Sequence, residues 1–262
     1  MLFKKTDLTN SSTRHKIAIQ KNLLSKSNLI IKNLRIGFKQ FNGRSSNTGN
    51  ITVWHKGGGC KKKFSKIEYN TRKFSGISIT NMYDPFRTGF ISLNFDFLTK
   101  KFFFTSSTDL VKPGSFVVSR DTLRTLNLGY KSSLKSVPPG SSVHDLTLKN
   151  DFYAKYSRSA GSSCQILQKI YDTCKVRLPS GIIISTKITS FATLGRVSNA
   201  IHNQTIIGKA GGSRLRGVRP TTRGRAMNAV DHPHGGQTNG GTTPVTPWGV
   251  PTRGKKTRKV KI

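Results

Sequence analysis

The chain has 262 residues, with 45 Lys and Arg against 10 Asp and Glu, a formal net charge of +35. The acids are nine Asp and one Glu, Glu68, too few for a carboxylate-rich enzyme site. So charged a chain repels itself unless something anionic covers it, which leaves nucleic acid, an acidic partner or an anionic membrane surface.

The hydrophobic fraction of 34% is below the roughly 45–50% of an average globular chain. That predicts two small cores sharing the apolar residues, among them 15 Phe. Cys60, Cys164 and Cys174 are odd in number and form no CxxC pair, which argues against a disulfide framework or zinc ribbon and for a reducing compartment. No run approaches the roughly 20 apolar residues needed to cross a bilayer. Lys, Asn, Ser, Phe and Ile are abundant and Ala is scarce, the pattern of an AT-rich genome, which favours synthesis inside an organelle.

In chain order, residues 1–50 are basic and polar. Met1 to Ile36 has Asp7 as its only acid and reads either as a transit peptide or as a basic arm. Gly43 to Asn50 is a loop of turn residues. From 51 to about 200 the pattern is β. Ile51–Trp54 opens it, followed by Phe64–Tyr69, with Phe64, Ile67 and Tyr69 as core candidates. Ile77–Ile79, Phe90–Phe95, Phe102–Phe104 and Ser115–Val118 come next, separated by Gly, Pro, Asn or Asp. After Val137-Pro138-Pro139-Gly140 a second set comprises Val143–Leu148, Ser163–Leu167, Lys175–Leu178 and Ile182–Ile188, with a hairpin turn at Pro179-Ser180-Gly181. Two compact antiparallel barrels side by side are predicted. Residues 208–262 hold twelve Lys and Arg against Asp231 alone, with few apolar clusters. Such a segment cannot offset its own chain entropy, and is expected to extend and to order only on a polyanion.

Three motifs could carry chemistry. Gly57-Gly58-Gly59-Cys60-Lys61-Lys62-Lys63 follows Lys56; its glycines allow close backbone approach to phosphates that the lysines neutralise, and no Walker loop occurs. Lys209, Arg214, Arg216, Arg219, Arg223 and Arg225 alternate with small residues, as in a chain threading between RNA helices. Asn228, Asp231, His232 and His234 lie in a third, where Pro233 excludes an HExxH-type helix. Hydrogen bonding and stacking against RNA is the favoured reading there, over a metal site or an acid/base pair.

These motifs resemble the universal ribosomal large-subunit protein two. The resemblance runs through Gly208–Pro220, Ala226–Asn228, Val230–Gly236, Pro244–Gly249 and Gly254–Arg258. Upstream it takes in Asn50–Thr52 with His55, Ser141 with His144, Arg158–Gly161, and Ala192–Gly195. It covers roughly residues 43–258 in collinear order, departing at Leu215, at Tyr153–Tyr156 and from Gln237. It implies a mainly β protein, with a basic arm over 1–50, an OB-fold barrel over 51–130, an SH3-like barrel over 131–204 and an extended rRNA-penetrating segment over 205–262. It implies no enzyme and no cofactor beyond Mg or K ions shared with rRNA. The implied partners are large-subunit rRNA, neighbouring ribosomal proteins and the small subunit, with no membrane and no homo-oligomer. The expected compartment is the mitochondrial matrix, with plastid or bacterial cytoplasm as alternatives. Residues expected on rRNA also include Arg158, Arg253, Lys255, Lys256 and Arg258, with Asp231, His232 and His234 toward the peptidyl-transferase region.

Overall fold

The computed structural model describes residues 3–4, 9–20, 24–25, 33–38, 42–69, 73–123, 125–148, 153–236 and 243–254. It divides into two compact units, Met1–Gln40 with Cys60–Gly212, and Phe41–Gly59 with Ser213–Ile262.

The larger unit is mainly β. Its strands are β1 (Phe3–Lys4), β2 (Ala18–Ile19), β3 (Arg35–Phe38), β4 (Lys62–Ser65), β5 (Phe74–Met82), β6 (Ile91–Asp96), β7 (Lys101–Ser106) and β8 (Phe116–Arg120). They continue as β9 (Lys131–Ser133), β10 (Ser142–His144), β11 (Leu146–Thr147), β12 (Ala154–Tyr156), β13 (Cys164–Ile170), β14 (Thr173–Arg177), β15 (Ile183–Lys187) and β16 (Phe191–Leu194). Ten of them form one sheet in the order β15-β14-β13-β10-β16-β9-β8-β5-β6-β7. Its pairs are antiparallel except β8–β9, which joins the two strand sets in parallel. β1–β2, β3–β4 and β11–β12 are separate two-stranded ribbons.

Most apolar runs bounded by Gly, Pro, Asn or Asp are strands here, for the reason the pattern suggests: β-branched and aromatic residues fit a half-buried pleated surface. Gly181 takes φ +85° and closes the β14–β15 hairpin, where Leu178 N–H donates to Ile182 O at 2.9 Å. Three expectations fail. Ile51–Trp54 is no strand; Gly43 at φ +68° turns the chain, and the N–H groups of Thr52 and Val53 both donate to Gly43 O. Val143–Leu148 is split into β10 and β11 by Asp145, whose φ of +52° breaks the extended run. Phe64 and Tyr69 lie outside the core clusters; of the three candidates only Ile67 packs against one.

The buried apolar side chains form three clusters. Leu134, Val137, Val143, Leu146, Ile166 and Val176 centre one cluster. Met82, Ile91, Leu93 and Phe104 form another, with Phe74, Phe103 and Val117 grouped separately. A fully buried side chain such as Phe104 contributes roughly 1.5–3 kcal/mol.

A buried polar group accompanies them. Lys131 Nζ donates to Tyr69 O at 3.2 Å, His144 Nδ1 lies 3.4 Å from Asp145 Oδ2, and Thr108 Oγ1 lies 2.8 Å from His144 Nε2. Burial pulls the Lys131 amine down to about 8, against the attraction of Asp145 and Glu68. Burial pushes the Asp145 carboxyl up, but the charge and hydrogen bond of His144, Ser106 and the Lys131 ammonium outweigh it and leave that carboxyl below its ordinary value. Between about pH 8 and the ordinary amine value of 10.5 the unfolded chain holds a proton on Lys131 that the folded chain has lost, so this group makes stability rise with pH there. Denaturant titrations of wild type and Lys131→Met between pH 7.5 and 9 should therefore diverge, with a wild-type stability that rises relative to the variant's. Parallel pH profiles would show that Lys131 does not titrate in this range.

Candidate nucleic-acid interface

The smaller unit carries thirteen Lys and Arg against Asp231 alone. No apolar core cluster of the described residues falls in it. Its described part is held by backbone pairing instead. Lys56 and Val218 form an antiparallel bridge. Gly57 N–H donates to Gly217 O at 3.1 Å, and Arg219 N–H to His55 O at 3.0 Å. The two basic motifs, some 160 residues apart in sequence, thus run side by side.

Glycine makes that approach possible. At Gly59, where φ is +98°, a Cβ would lie 2.9 Å from both Gly217 N and Leu215 O. At Gly58, φ is +65° but the space is open. The first position needs glycine for room and conformation, the second for conformation only.

The segment expected to be extended is more compact than that. α1 (Ser11–Arg14) belongs to the N-terminal region, and α2 (Ala210–Leu215) replaces the start of the tail. Gly212 is packed so closely on Ile207 that a Cβ would meet its Cγ2 at 2.3 Å. Residues 224–236 wind into a knot. Asp231 N–H and His232 N–H both donate to Asn228 O, Gly235 N–H to His232 O at 2.8 Å, and Gly236 N–H to Met227 O at 3.2 Å. The folding is local: turns and 3-10 geometry satisfy the backbone without an apolar core.

His232, 8% exposed, sits at the centre of this knot. Its ring lies on Gly224, where a Cβ would come within 2.7 Å. Its Nδ1 accepts the His234 N–H at 3.0 Å, so the neutral ring carries its proton on Nε2. The two imidazole centroids are 4.7 Å apart. His234 Nε2 is 3.1 Å from both Thr243 O and Val245 N; it donates to the first when protonated and accepts from the second when bare. Ring nitrogens used in this way shape a loop rather than relay protons. Among the described residues no group of three or more His, Cys, Asp or Glu could hold a metal ion.

The remaining site residues divide between the units. Lys56, Arg214, Arg216, Arg219, Arg223, Arg225, Asn228, Asp231 and Arg253 are exposed in the smaller one. Lys61, Lys62, Lys63, Arg158 and Lys209 belong to the larger one. Lys62 and Lys63 fall on β4, and the Arg158 guanidinium lies 4.3 Å from the Tyr69 ring centroid. Lys255, Lys256 and Arg258 lie outside the described residues. The sequence reading missed Trp54 and Trp248, both exposed in the smaller unit. Each lies in a basic, glycine-bearing stretch, the signal that could have singled it out. No helix of the described residues is long and apolar enough to cross a membrane.

Comparison with known proteins adds an independent line. The family described as Ribosomal Proteins L2, RNA binding N-terminal domain, matches residues 31–119, and Ribosomal Proteins L2, C-terminal domain, matches residues 127–249. The chain is 44% identical over 236 residues to large ribosomal subunit protein uL2 of Wolbachia sp. subsp. Brugia malayi, covering 87% of this chain and 84% of that one. It is 39% identical over 264 residues to uL2m of Reclinomonas americana, covering 98% and 94%. With uL2c of Cyanidium caldarium it shares 39% over 237 residues, covering 88% and 85%.

The two glycines should respond differently to a methyl group. Gly58→Ala adds only left-handed strain, about 1–2 kcal/mol; Gly59→Ala adds a backbone clash and should open the paired segments. Limited trypsin digestion should cut at Arg214 and Arg216 markedly faster in Gly59→Ala than in Gly58→Ala. Equal rates would mean the close approach does not exist in the free protein.

Proposed function

The chain belongs to the ribosomal protein L2 family, and from that premise we propose which of its residues serve the large subunit, and how. It is a structural, rRNA-binding protein of the large ribosomal subunit that supports translation, not an enzyme. rRNA and neighbouring ribosomal proteins are its partners.

In the finer reading, residues 51–130 form an OB-fold barrel and 131–204 an SH3-like barrel, flanked by the arm at 1–50 and the rRNA-penetrating segment at 205–262. The separate apolar clusters around Phe104 and around Ile166 support two such bodies. Lys56, Arg214, Arg216, Arg219, Arg223, Arg225 and Arg253 contact phosphate. Lys61, Lys62, Lys63, Arg158 and Lys209 do so from the larger unit, and Lys255, Lys256 and Arg258 from the terminus. Asn228, Asp231, His232 and His234 present the knotted loop toward the peptidyl-transferase region, and the protein supports association with the small subunit. The His232–His234 packing supports a role in shape, with the chemistry left to RNA. The compartment in this reading is the mitochondrial matrix. The AT-rich style of composition and the likeness to the protein of Reclinomonas americana favour it, and plastid or bacterial cytoplasm is the alternative.

The observation that carries the phosphate assignment is the pairing of Lys56–Gly57 with Gly217–Arg219, which concentrates cations on one backbone ribbon. Each phosphate contact releases counterions, so neutralising Arg216 and Arg219 together should flatten the slope of log affinity for rRNA against log salt by about 1.5. An unchanged slope would remove both from the phosphate contacts. Absence of the protein from sedimented large subunits would overturn the assignment as a whole.

A further inference from the structure

The β3–β4 ribbon carries aromatic rings that belong to none of the three core clusters. Residues directly opposite in an antiparallel pair project to the same face. The register sets Ile36 against Phe64 and Phe38 against Lys62, so these four share one face, with Arg35, Gly37, Lys63 and Ser65 on the other. Phe86, from the loop between β5 and β6, packs onto the first face. Its centroid is 4.9 Å from Phe38 at 69° and 5.5 Å from Phe64 at 72°. Phe38 remains 37% exposed, Phe86 36% and Ile36 57%.

This cluster is built from below. Asp84 is fully buried, accepts the Phe86 N–H at 2.9 Å and pairs with Arg87. Arg87 Nη1 also donates to Ser65 O in β4 at 3.2 Å, and its guanidinium lies 5.2 Å from the Phe64 centroid. A buried carboxylate thus fixes the loop that delivers an exposed phenyl ring. Above the rings, Lys62 Nζ is 5.9 Å from the Phe86 centroid, in the run Lys61-Lys62-Lys63.

We propose that Phe38, Phe64 and Phe86 form a stacking site for an unpaired base of rRNA, with Lys62 on the adjoining phosphate. The assignment rests on the rRNA-binding function above and adds to it a contact with single-stranded RNA. An unstacked base offers a planar π face whatever its sequence, and its own backbone brings the negative charge that the lysines call for. An apolar protein segment would cover the rings but bring no phosphate to the exposed Lys61 and Lys63. A base held in a duplex cannot lay its face on the exposed rings.

The test uses the full-length protein, large-subunit rRNA from its own ribosome and two variants. Phe86→Leu keeps apolar bulk without a π face; Phe86→Trp reports on stacking. Phe86→Leu should melt like wild type yet bind rRNA about five-fold or more weakly, with the salt slope unchanged. Phe86→Trp should bind and lose more fluorescence than the wild type, whose Trp54 and Trp248 set the background, as a base stacks on the added indole. Wild-type binding with Phe86→Leu equally tight and Phe86→Trp unquenched would overturn the stacking site while leaving the rRNA reading intact. Indole emission that is unaltered by free rRNA but blue-shifted in intact subunits would assign the face to a protein segment instead. Failure of the wild-type protein to bind rRNA would overturn the parent reading, and this site with it.

Discussion

Between His55 and Gly59, and between Leu215 and Arg219, two backbones run within hydrogen-bonding distance inside a unit that carries thirteen Lys and Arg and a single acid. Nothing apolar among the described residues draws them together, since the core clusters all lie between Phe74 and Leu194. What permits the approach is the missing Cβ at Gly59 and Gly217. What opposes it is repulsion among the surrounding lysines and arginines. A basic ribbon of this kind is close to balance on its own, and a polyanion tips that balance by supplying counter-charge. The same arrangement that is marginal in isolation is therefore well suited to RNA.

The larger unit solves a different problem. It has apolar residues enough for three modest clusters and meets the shortage with sheet: ten strands share their hydrogen bonds across one continuous ladder. Its few acids are used for structure. Asp84 braces the Phe86 loop, Asp109 pairs with Arg196, and Asp145 sits with His144 and Lys131. Carboxylates spent on internal bracing do not repel phosphate from the surface, so low acid content and an RNA-facing role are one constraint rather than two.

Much of this could be read from the residues, and the gaps have physical causes. Apolar runs bounded by turn residues marked β5 to β8 and β13 to β15, because burial of alternate side chains leaves a period in the sequence. β9, Lys-Ser-Ser, and β12, Ala-Lys-Tyr, leave no such mark. They are short, and their pairing is decided by neighbours distant in sequence. The glycine motif was recognisable, but its pairing with Gly217 was not, since long-range register carries no periodic signal. Phe64 was misplaced because alternation tells which residues share a face, not whether that face meets a core or a partner. The compact loop around His232 escaped notice because Gly224 and Gly235 look like flexible linker until the ring and the carbonyl they accommodate are seen.

The central claim is that two basic segments distant in sequence form one rRNA-binding ribbon. Photo-cross-linking from a benzoylphenylalanine placed singly at Lys56 and at Arg219, in assembled large subunits, tests it most directly. The account predicts that both positions cross-link to nucleotides of the same rRNA helix. Cross-links to separate, non-adjacent rRNA elements, or to protein alone, would contradict it.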